Sequence, residues 1–309
     1  MPLIGTTGQD GISMTVELPP TGLLLVGLGP GGLAGMTLAA VEAATAADHR
    51  WYEAYTALWP EADLAGLEAR VGPIQRVMRP DVEHPTRLFE LARDALVALL
   101  VVGDPLQATT HVDLQLRAQD EGIPCHVLHG LSITGMVTGA AGLSNYRFGR
   151  QTTLTYPHGS WIATSPLETI AVNRHLGLHT LVLLDLDPTG AGTGDQRPMR
   201  PEDAHASLHL MAERLGERPT EEEDASSLFA EALEDLDVGT WAVVLCADVG
   251  TADEVFVTTT VDGLPAERGG RLNCLLVPAA VEGVEAAAIA RWQRAVSYTH
   301  LRAHETTVY

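Results

Sequence analysis

The chain has 309 residues, 40 acidic side chains against 19 basic ones, and a formal net charge of −21. All 19 basic residues are arginine, and without lysine there can be no P-loop lysine, pyridoxal Schiff base or lysine nucleophile. Such a charge repels nucleic acid, and the longest apolar runs, such as Leu96–Val102, fall well short of the roughly 18–20 residues of a membrane span.

Residues 1–20 show no periodicity and read as a disordered leader, with Met14 as an alternative start. Leu23–Leu28 is a buried strand that runs into a glycine turn, and Leu33–Ala47 reads as an alanine-rich helix. His49–Tyr55 is a second strand, and Asp94–Val102 contains a third that ends at the turn Gly103–Asp104–Pro105. Thr109–Gln119 is helical, closed by Gly122 and Pro124, and Cys125–Leu128 is again a strand. This alternation predicts a mostly parallel α/β sheet and a first domain over 21–130.

Small residues dominate Leu131–Gly142, where the domain boundary is expected, and a second α/β domain then covers 131–296. Its predicted strands are Thr152–Tyr156, Thr180–Asp185, Trp241–Cys246, Glu254–Thr260 and Leu272–Val277. Its predicted helices are Pro166–Leu176, Pro201–Leu215, Glu222–Leu236 and Val281–Ala295, with a glycine- and proline-rich loop over Asp187–Pro201. Ser297–Tyr309 continues no pattern and resembles translated adapter sequence, so 297–309 is expected to be a non-native tail. Its His300 and His304, although spaced i,i+4, are given no metal, and no metal is expected elsewhere.

With 46% hydrophobic and only 5% aromatic residues, aliphatic side chains and alanine must fill the core. The acids are scattered, which favours adaptation to high salt over a surface built to repel partners. Cys125, Cys246 and Cys274 form no CxxC pair and read as buried free thiols in a reducing, cytoplasmic setting.

Three motifs carry chemistry. Gly27-Leu28-Gly29-Pro30-Gly31-Gly32 has the spacing of a dinucleotide turn, with Asp48 or Glu53 about 20 residues on, so a nicotinamide oxidoreductase is a rival reading. Against it, Pro30 has no N–H to offer a pyrophosphate. Val101–His111 sets Asp104 between a strand end and a helix start, where it either binds a ligand or only caps the turn; His111 either serves the site or packs. Gly177–Asp185 is a buried strand that opens with His179 and closes with Asp185, and spacing assigns neither.

Together these strings resemble the diphthine synthases. The GLG turn at Gly27–Gly29 is followed by an E-x-Y-T pattern at Glu53–Thr56 and an R-x-D-V-E segment at Arg79–Glu83. GDP-x-x-ATTH stands at Gly103–His111, H-x-x-S-I at His129–Ile133, and GLHTL at Gly177–Leu181. Ala141–Gly149 is close to a further family segment. The wider class of tetrapyrrole-type methyltransferases shares the two glycine turns but not ATTH or GLHTL. The resemblance covers about Leu23 to Ala295.

It implies two α/β domains of the tetrapyrrole-methylase type with S-adenosylmethionine in the cleft between them, and a homodimer. The implied activity is methylation of the amino group of a modified histidine on translation elongation factor 2. Residue by residue, the cofactor positions fall on Pro30, Asp104, Gln107, Ser132, Ile133, Leu184, Asp248 (or Ala247 beside it) and Asn273. Pro30 and Gln107 stand where aliphatic residues are usual, and Asn273 where histidine is usual. Glu53, Tyr55, Arg79, Asp81, His111 and His179 are candidate contacts for the protein substrate, each of which could equally be structural. No general base is assigned, because methyl transfer from a sulfonium to an amine needs chiefly alignment and desolvation. Two other readings stay open: a tetrapyrrole-type methyltransferase of small molecules, and a nucleotide-binding relative without catalysis.

Overall fold

The computed structural model describes residues 17–107, 109–217, 228–234 and 236–293. The tail with His300 and His304, most of the leader, and the first part of the helix expected over Glu222–Leu236 lie outside them. Two five-stranded sheets organise the rest.

The first sheet holds β1 (Gly22–Gly27), β2 (His49–Glu53), β3 (Gln75–Val77), β4 (Leu96–Val101) and β5 (Cys125–Leu128), in the order β3-β2-β4-β1-β5. Every pairing is parallel. Helices α1 (Leu38–Ala46), α2 (Glu61–Val71), α3 (Arg79–Glu83), α4 (Thr86–Asp94) and α5 (Thr109–Asp120) cover it. The two central strands are apolar at every position for a geometric reason. Leu24, Val26, Ala98 and Leu100 pack on one face, while Leu23, Leu25, Val97 and Leu99 pack on the other. Side chains alternate across a strand, so a sheet covered on both faces needs an unbroken apolar run. Burying each such leucine contributes about 1.5–3 kcal/mol.

The second sheet holds β6 (Thr152–Leu154), β7 (Thr180–Leu184), β8 (Ala242–Ala247), β9 (Val255–Thr260) and β10 (Asn273–Val277), ordered β6-β7-β10-β8-β9. Only β6 and β7 are parallel; β10 runs antiparallel to β7 and β8, and β8 to β9. Its helices are α6 (Ile133–Ala141), α7 (Ser165–His175), α8 (Pro201–Gly216), α9 (Leu228–Leu233) and α10 (Gly283–Ala290). No described helix is long and apolar enough to cross a membrane.

One expectation needs correcting, and two stretches carry elements that the sequence did not reveal. The single helix over Leu33–Ala47 is a 3-10 turn at Leu33–Gly35 followed by α1, because the Thr37 hydroxyl caps the helix by accepting from the Ala40 N–H at 3.1 Å. The small residues of Leu131–Gly142, where the domain boundary is expected, form α6: Ser132 caps its start, Gly142 ends it in the left-handed region, and Val137 and Ala141 bury its inner face. Between β2 and β4 the chain also builds α2, β3, α3 and α4, which were not anticipated.

Candidate functional site

In the first sheet the chain leaves β1 toward β2 on one side and leaves β4 toward β5 on the other. The adjacent carboxyl ends of β1 and β4 therefore flank a crevice, the usual ligand position in an open α/β sheet. Glycines let the strand ends close on one another. Gly29 and Gly103 form a two-bond bridge, with N–H to carbonyl distances of 3.1 and 3.0 Å. A Cβ on Gly27 would lie 2.7 Å from the Gly130 Cα, and one on Gly130 would lie 2.9 Å from the Gly27 Cα. These glycines serve contact between backbones, as the sequence spacing alone could not distinguish from contact with a ligand.

Above this corner is a cavity of about 240 Å³ between the two sheets. The first sheet lines it with Pro30 after β1, Thr56 and Ala57 after β2, Val102–Asp104 and Gln107 after β4, and Ser132–Thr134 after β5. The second sheet contributes Gln151 before β6, Leu183 and Leu184 from β7 with Leu186 after it, Cys246 from β8 with Asp248 and Val249 after it, and Arg271–Cys274 leading into β10. All eight positions assigned above to a cofactor are among the lining residues.

Local structure explains how each is held. The Asp104 carboxylate accepts from the Leu106 N–H at 2.9 Å, the Gly130 N–H at 3.3 Å and His129 Nδ1 at 2.8 Å. It thus ties the turn after β4 to the end of β5, which answers the capping alternative: Asp104 caps its turn and also faces the cavity. Ser132 Oγ accepts from the Thr134 N–H at 3.2 Å, so the positive end of α6, including Ile133, opens into the cavity. The Thr134 hydroxyl lies 3.5 Å from both the Gln107 and the Gln151 side-chain oxygens.

Asp248 has φ +46°, a left-handed conformation that aspartate tolerates better than most residues. Its carboxylate accepts from the Arg271 and Leu272 N–H groups, both at 3.0 Å, which ties the turn after β8 to the segment leading into β10. The Asn273 amide is likewise engaged, donating to the Met199 carbonyl at 3.2 Å and accepting from the Gly270 N–H at 2.7 Å. Leu184 ends β7 as part of an apolar wall shared with Ile133, Leu186, Cys246, Val249 and Cys274. Burial raises the Cys246 thiol well above its ordinary pKa, which keeps it an apolar wall group rather than a nucleophile.

Sequence reading missed Thr56, Gln151, Arg271 and both cysteines. Arg271 carries the most consequence, since its guanidinium donates to the Leu58 carbonyl and so joins the two sheets at the rim. The cysteines do have a signal, because both fall at the cavity ends of apolar strands, at Cys246 and Cys274.

The tetrapyrrole (corrin/porphyrin) methylase family matches over residues 22–265. A diphthine synthase of Methanosphaerula palustris is 33% identical over 266 residues, covering 85% of this chain and 95% of that protein. One of Methanoregula boonei is 39% identical over 170 residues, 54% of this chain and 65% of that protein. The chain thus spans just under two thirds of the length of the first curated relatives it matches. A crystal structure of a diphthine synthase superposes with a TM-score of 0.69 at 28% identity, covering 88% of this chain and 95% of that one. The chain belongs to the diphthine synthase family.

The dinucleotide alternative finds no support in this diphthine synthase relative. The Asp48 carboxylate accepts from the Leu96 N–H at 2.9 Å, and Glu53 is buried against His111, so neither acid reaches the cavity. Nor does an α-helix begin at the glycine turn, which leads only into the 3-10 turn Leu33–Gly35, since α1 starts at Leu38.

The six substrate candidates are only partly brought together, and none lines the cavity. Glu53 and His111, both fully buried, form one hydrogen-bonded pair, and the Thr56 hydroxyl donates to the other Glu53 oxygen. Through Thr56 this pair stands directly behind the cavity wall. Tyr55 is buried beside it under the Arg79 guanidinium, 5.3 Å from the ring centre, and burial first, then Glu53 and Glu83, push its pKa up. Asp81 accepts from the Met78 N–H at 3.0 Å and caps α3.

His179 is elsewhere, at the opposite end of β7 from Leu184, roughly 16 Å away at ~3.3 Å per residue. Its Nδ1 accepts from the Ala279 N–H and its Nε2 meets Glu285 Oε1, both at 3.1 Å. Burial lowers its pKa, and the Glu285 bond only partly opposes this. The geometry is that of a core histidine that ties β7 to α10.

Proposed function

We propose that this chain is an S-adenosylmethionine-dependent methyltransferase that methylates the amino group of the modified histidine of translation elongation factor 2, a step of diphthamide biosynthesis. The observation that carries the reading is the gathering of all eight cofactor candidates around one cavity at the carboxyl ends of β1 and β4. The donor set suits the cofactor. The apolar wall of Leu184, Leu186, Cys246, Val249 and Cys274 fits an adenine ring, and the N-terminus of α6 fits the carboxylate of the methionine part. Pro30, Gln107, Ile133 and Asp248 complete the lining, and Asn273 holds its rim. When bound, S-adenosylmethionine supplies the electrophilic methyl group. The residues of this chain then have to hold it, exclude water and align the incoming amine.

On this reading the chain has domains at 21–130 and 131–296, works in the cytoplasm and forms a homodimer. Trimethylation in a salt-loving archaeon is the reading that the lysine-free, −21 composition supports. Glu53, Tyr55, Arg79 and His111 would act from behind the cavity wall, by positioning Thr56 for the substrate, while Asp81 and His179 act as a cap and a core tie.

The deciding experiment offers labelled S-adenosylmethionine and archaeal elongation factor 2 carrying the 3-amino-3-carboxypropyl histidine to the full chain in high salt. Label on that histidine is the expected result. Cofactor binding with no label would favour the small-molecule or non-catalytic relatives instead.

A further inference from the structure

One side-chain cluster lies outside the cavity and plays no part in the reading above. His205 and His209 are four residues apart on α8, so their rings share one helix face, with centroids 4.4 Å apart. Both Nε2 atoms point at one oxygen of Asp262, in the turn after β9: His209 at 2.8 Å and His205 at 3.6 Å. The three donor atoms all lie within 4.8 Å of one another.

Several features make this more than a surface hydrogen bond. Tetrahedral coordination with bonds of about 2.0–2.1 Å separates donor atoms by roughly 3.3 Å. The observed His–Asp separations of 2.8 and 3.6 Å bracket that value. A histidine–aspartate hydrogen bond needs only one of the two rings; at 3.6 Å the His205 nitrogen stands beyond hydrogen-bond reach and is left pointing at the same oxygen. The carboxylate is held in place from behind. The Asp262 N–H donates to the Gly239 carbonyl at 3.0 Å, and a Cβ on Gly239 would run into the Asp262 carboxyl group, so only glycine leaves room for it. All three side chains retain solvent access, at 30%, 38% and 61%. Finally, the two imidazoles and one carboxylate sit on a chain of net charge −21, so a divalent cation is drawn to them.

We propose that His205, His209 and Asp262 form a binding site for a first-row transition cation of the zinc type, with water completing the coordination. Two imidazole nitrogens and a single carboxylate select zinc, cobalt or nickel over magnesium and calcium, which prefer all-oxygen sites. The bound ion joins α8 to the turn after β9. The start of that helix supports the cavity rim, since Asn273 donates to the Met199 carbonyl and Arg200 to the Gly270 carbonyl, each at 3.2 Å. None of the three ligands lines the cavity, so the ion is a structural tie and takes no part in methyl transfer.

The test titrates the full chain with Zn²⁺ at pH 8, then with Mg²⁺, by calorimetry and by thermal melting. Every sample carries His300→Ala and His304→Ala, which removes the i,i+4 histidine pair near the end of the sequence. One Zn²⁺ per chain and a rise in Tm are expected, with no response to Mg²⁺. His205→Ala leaves the His209–Asp262 bond intact, so the chain keeps its fold while Zn²⁺ affinity falls about tenfold or more. Co²⁺ loaded into the unsubstituted site should show the intense visible bands of a four-coordinate ion. Failure to take up stoichiometric Zn²⁺, or uptake that His205→Ala and Asp262→Asn both leave unchanged, overturns the proposal. So does a Co²⁺ spectrum of a six-coordinate ion.

Discussion

Replacing Gly31 with alanine tests whether the two halves of the chain meet as closely as the cavity requires. Gly31 follows Pro30 on the first sheet's side, and its backbone faces Gly250, in the turn after β8 that also carries Asp248 and Val249. A Cβ on Gly31 would lie 2.9 Å from the Gly250 Cα and nearer still to its carbonyl oxygen. Ordinary contact between carbons needs about 3.5–4.0 Å and the Gly250 carbonyl is the limiting contact, so one side must retreat by more than about 1 Å. Backbone stands on both sides, and no side chain can swing away to absorb the insertion. The retreat therefore widens the cavity between Pro30 and Asp248, and a misplacement of about 1 Å in a binding site can cost on the order of 100-fold. Overpacking of this kind destabilises by about 1–3 kcal/mol, small enough for the variant to remain folded. Gly35→Ala, four residues on, is the control, because its Cβ would meet nothing within 4 Å. Calorimetric titration with S-adenosylmethionine should show a large loss of affinity for the first variant and none for the second. Equal, unchanged affinity in both would refute the argument that Gly31 sets the width of the cleft.

Three further outcomes follow from the geometry. Asp104→Ala removes the acceptor for three donors, and charge-assisted bonds of about 1.5–3 kcal/mol predict a cofactor Kd raised about ten- to a hundredfold; an unchanged Kd in calorimetry would contradict it. His111→Ala strands the fully buried Glu53 carboxylate, so a loss of about 3–5 kcal/mol and a fall in Tm of roughly 10 °C are expected, whereas Glu53→Gln, which keeps a hydrogen bond to the ring, should lose much less; equal melting of the two would count against a buried pair. Stability should also fall on acidification. Burial lowers the pKa of His179, so below about pH 6.5 the unfolded chain binds a proton that the folded chain refuses. Burial pulls Glu285 upward, but the Ser144 N–H, His179 and Arg147 together hold it below its ordinary value, so its contribution is present near neutrality and lost as pH falls through that lowered value. Denaturant midpoints that stay flat from pH 7 to pH 4 would refute both assignments.

Where one residue's character settles its position, the sequence was legible. The apolar runs at Leu23 and Val97 announce strands buried on both faces, while Asp104 at a strand end leaves a ligand role and a turn cap both open. Positions decided by a distant partner were not. Nothing local shows that Gly31 is a glycine because of Gly250, or that His179 answers to Glu285, 106 residues away. The antiparallel order of the second sheet was hidden for the same reason, since strand direction depends on which strands pair and β10 pairs with both β7 and β8. His205 and His209 could have been noticed, because their i,i+4 spacing lies inside a predicted helix, but Asp262 becomes their neighbour only in three dimensions.

The meeting of Gly27, Gly103 and Gly130 has a consequence for how accurately the cavity can be built. Three separate loops, carrying Pro30, Asp104 and Ser132, all leave from that one corner. Positional errors in a folded chain accumulate along its length, and these residues are up to 102 positions apart, from Pro30 to Ser132. Backbone pressed against backbone cancels that accumulation, because each loop begins from a common origin with no rotamer in between. A ligand held by the three loops is then located to the tolerance of a peptide unit rather than to that of a side chain.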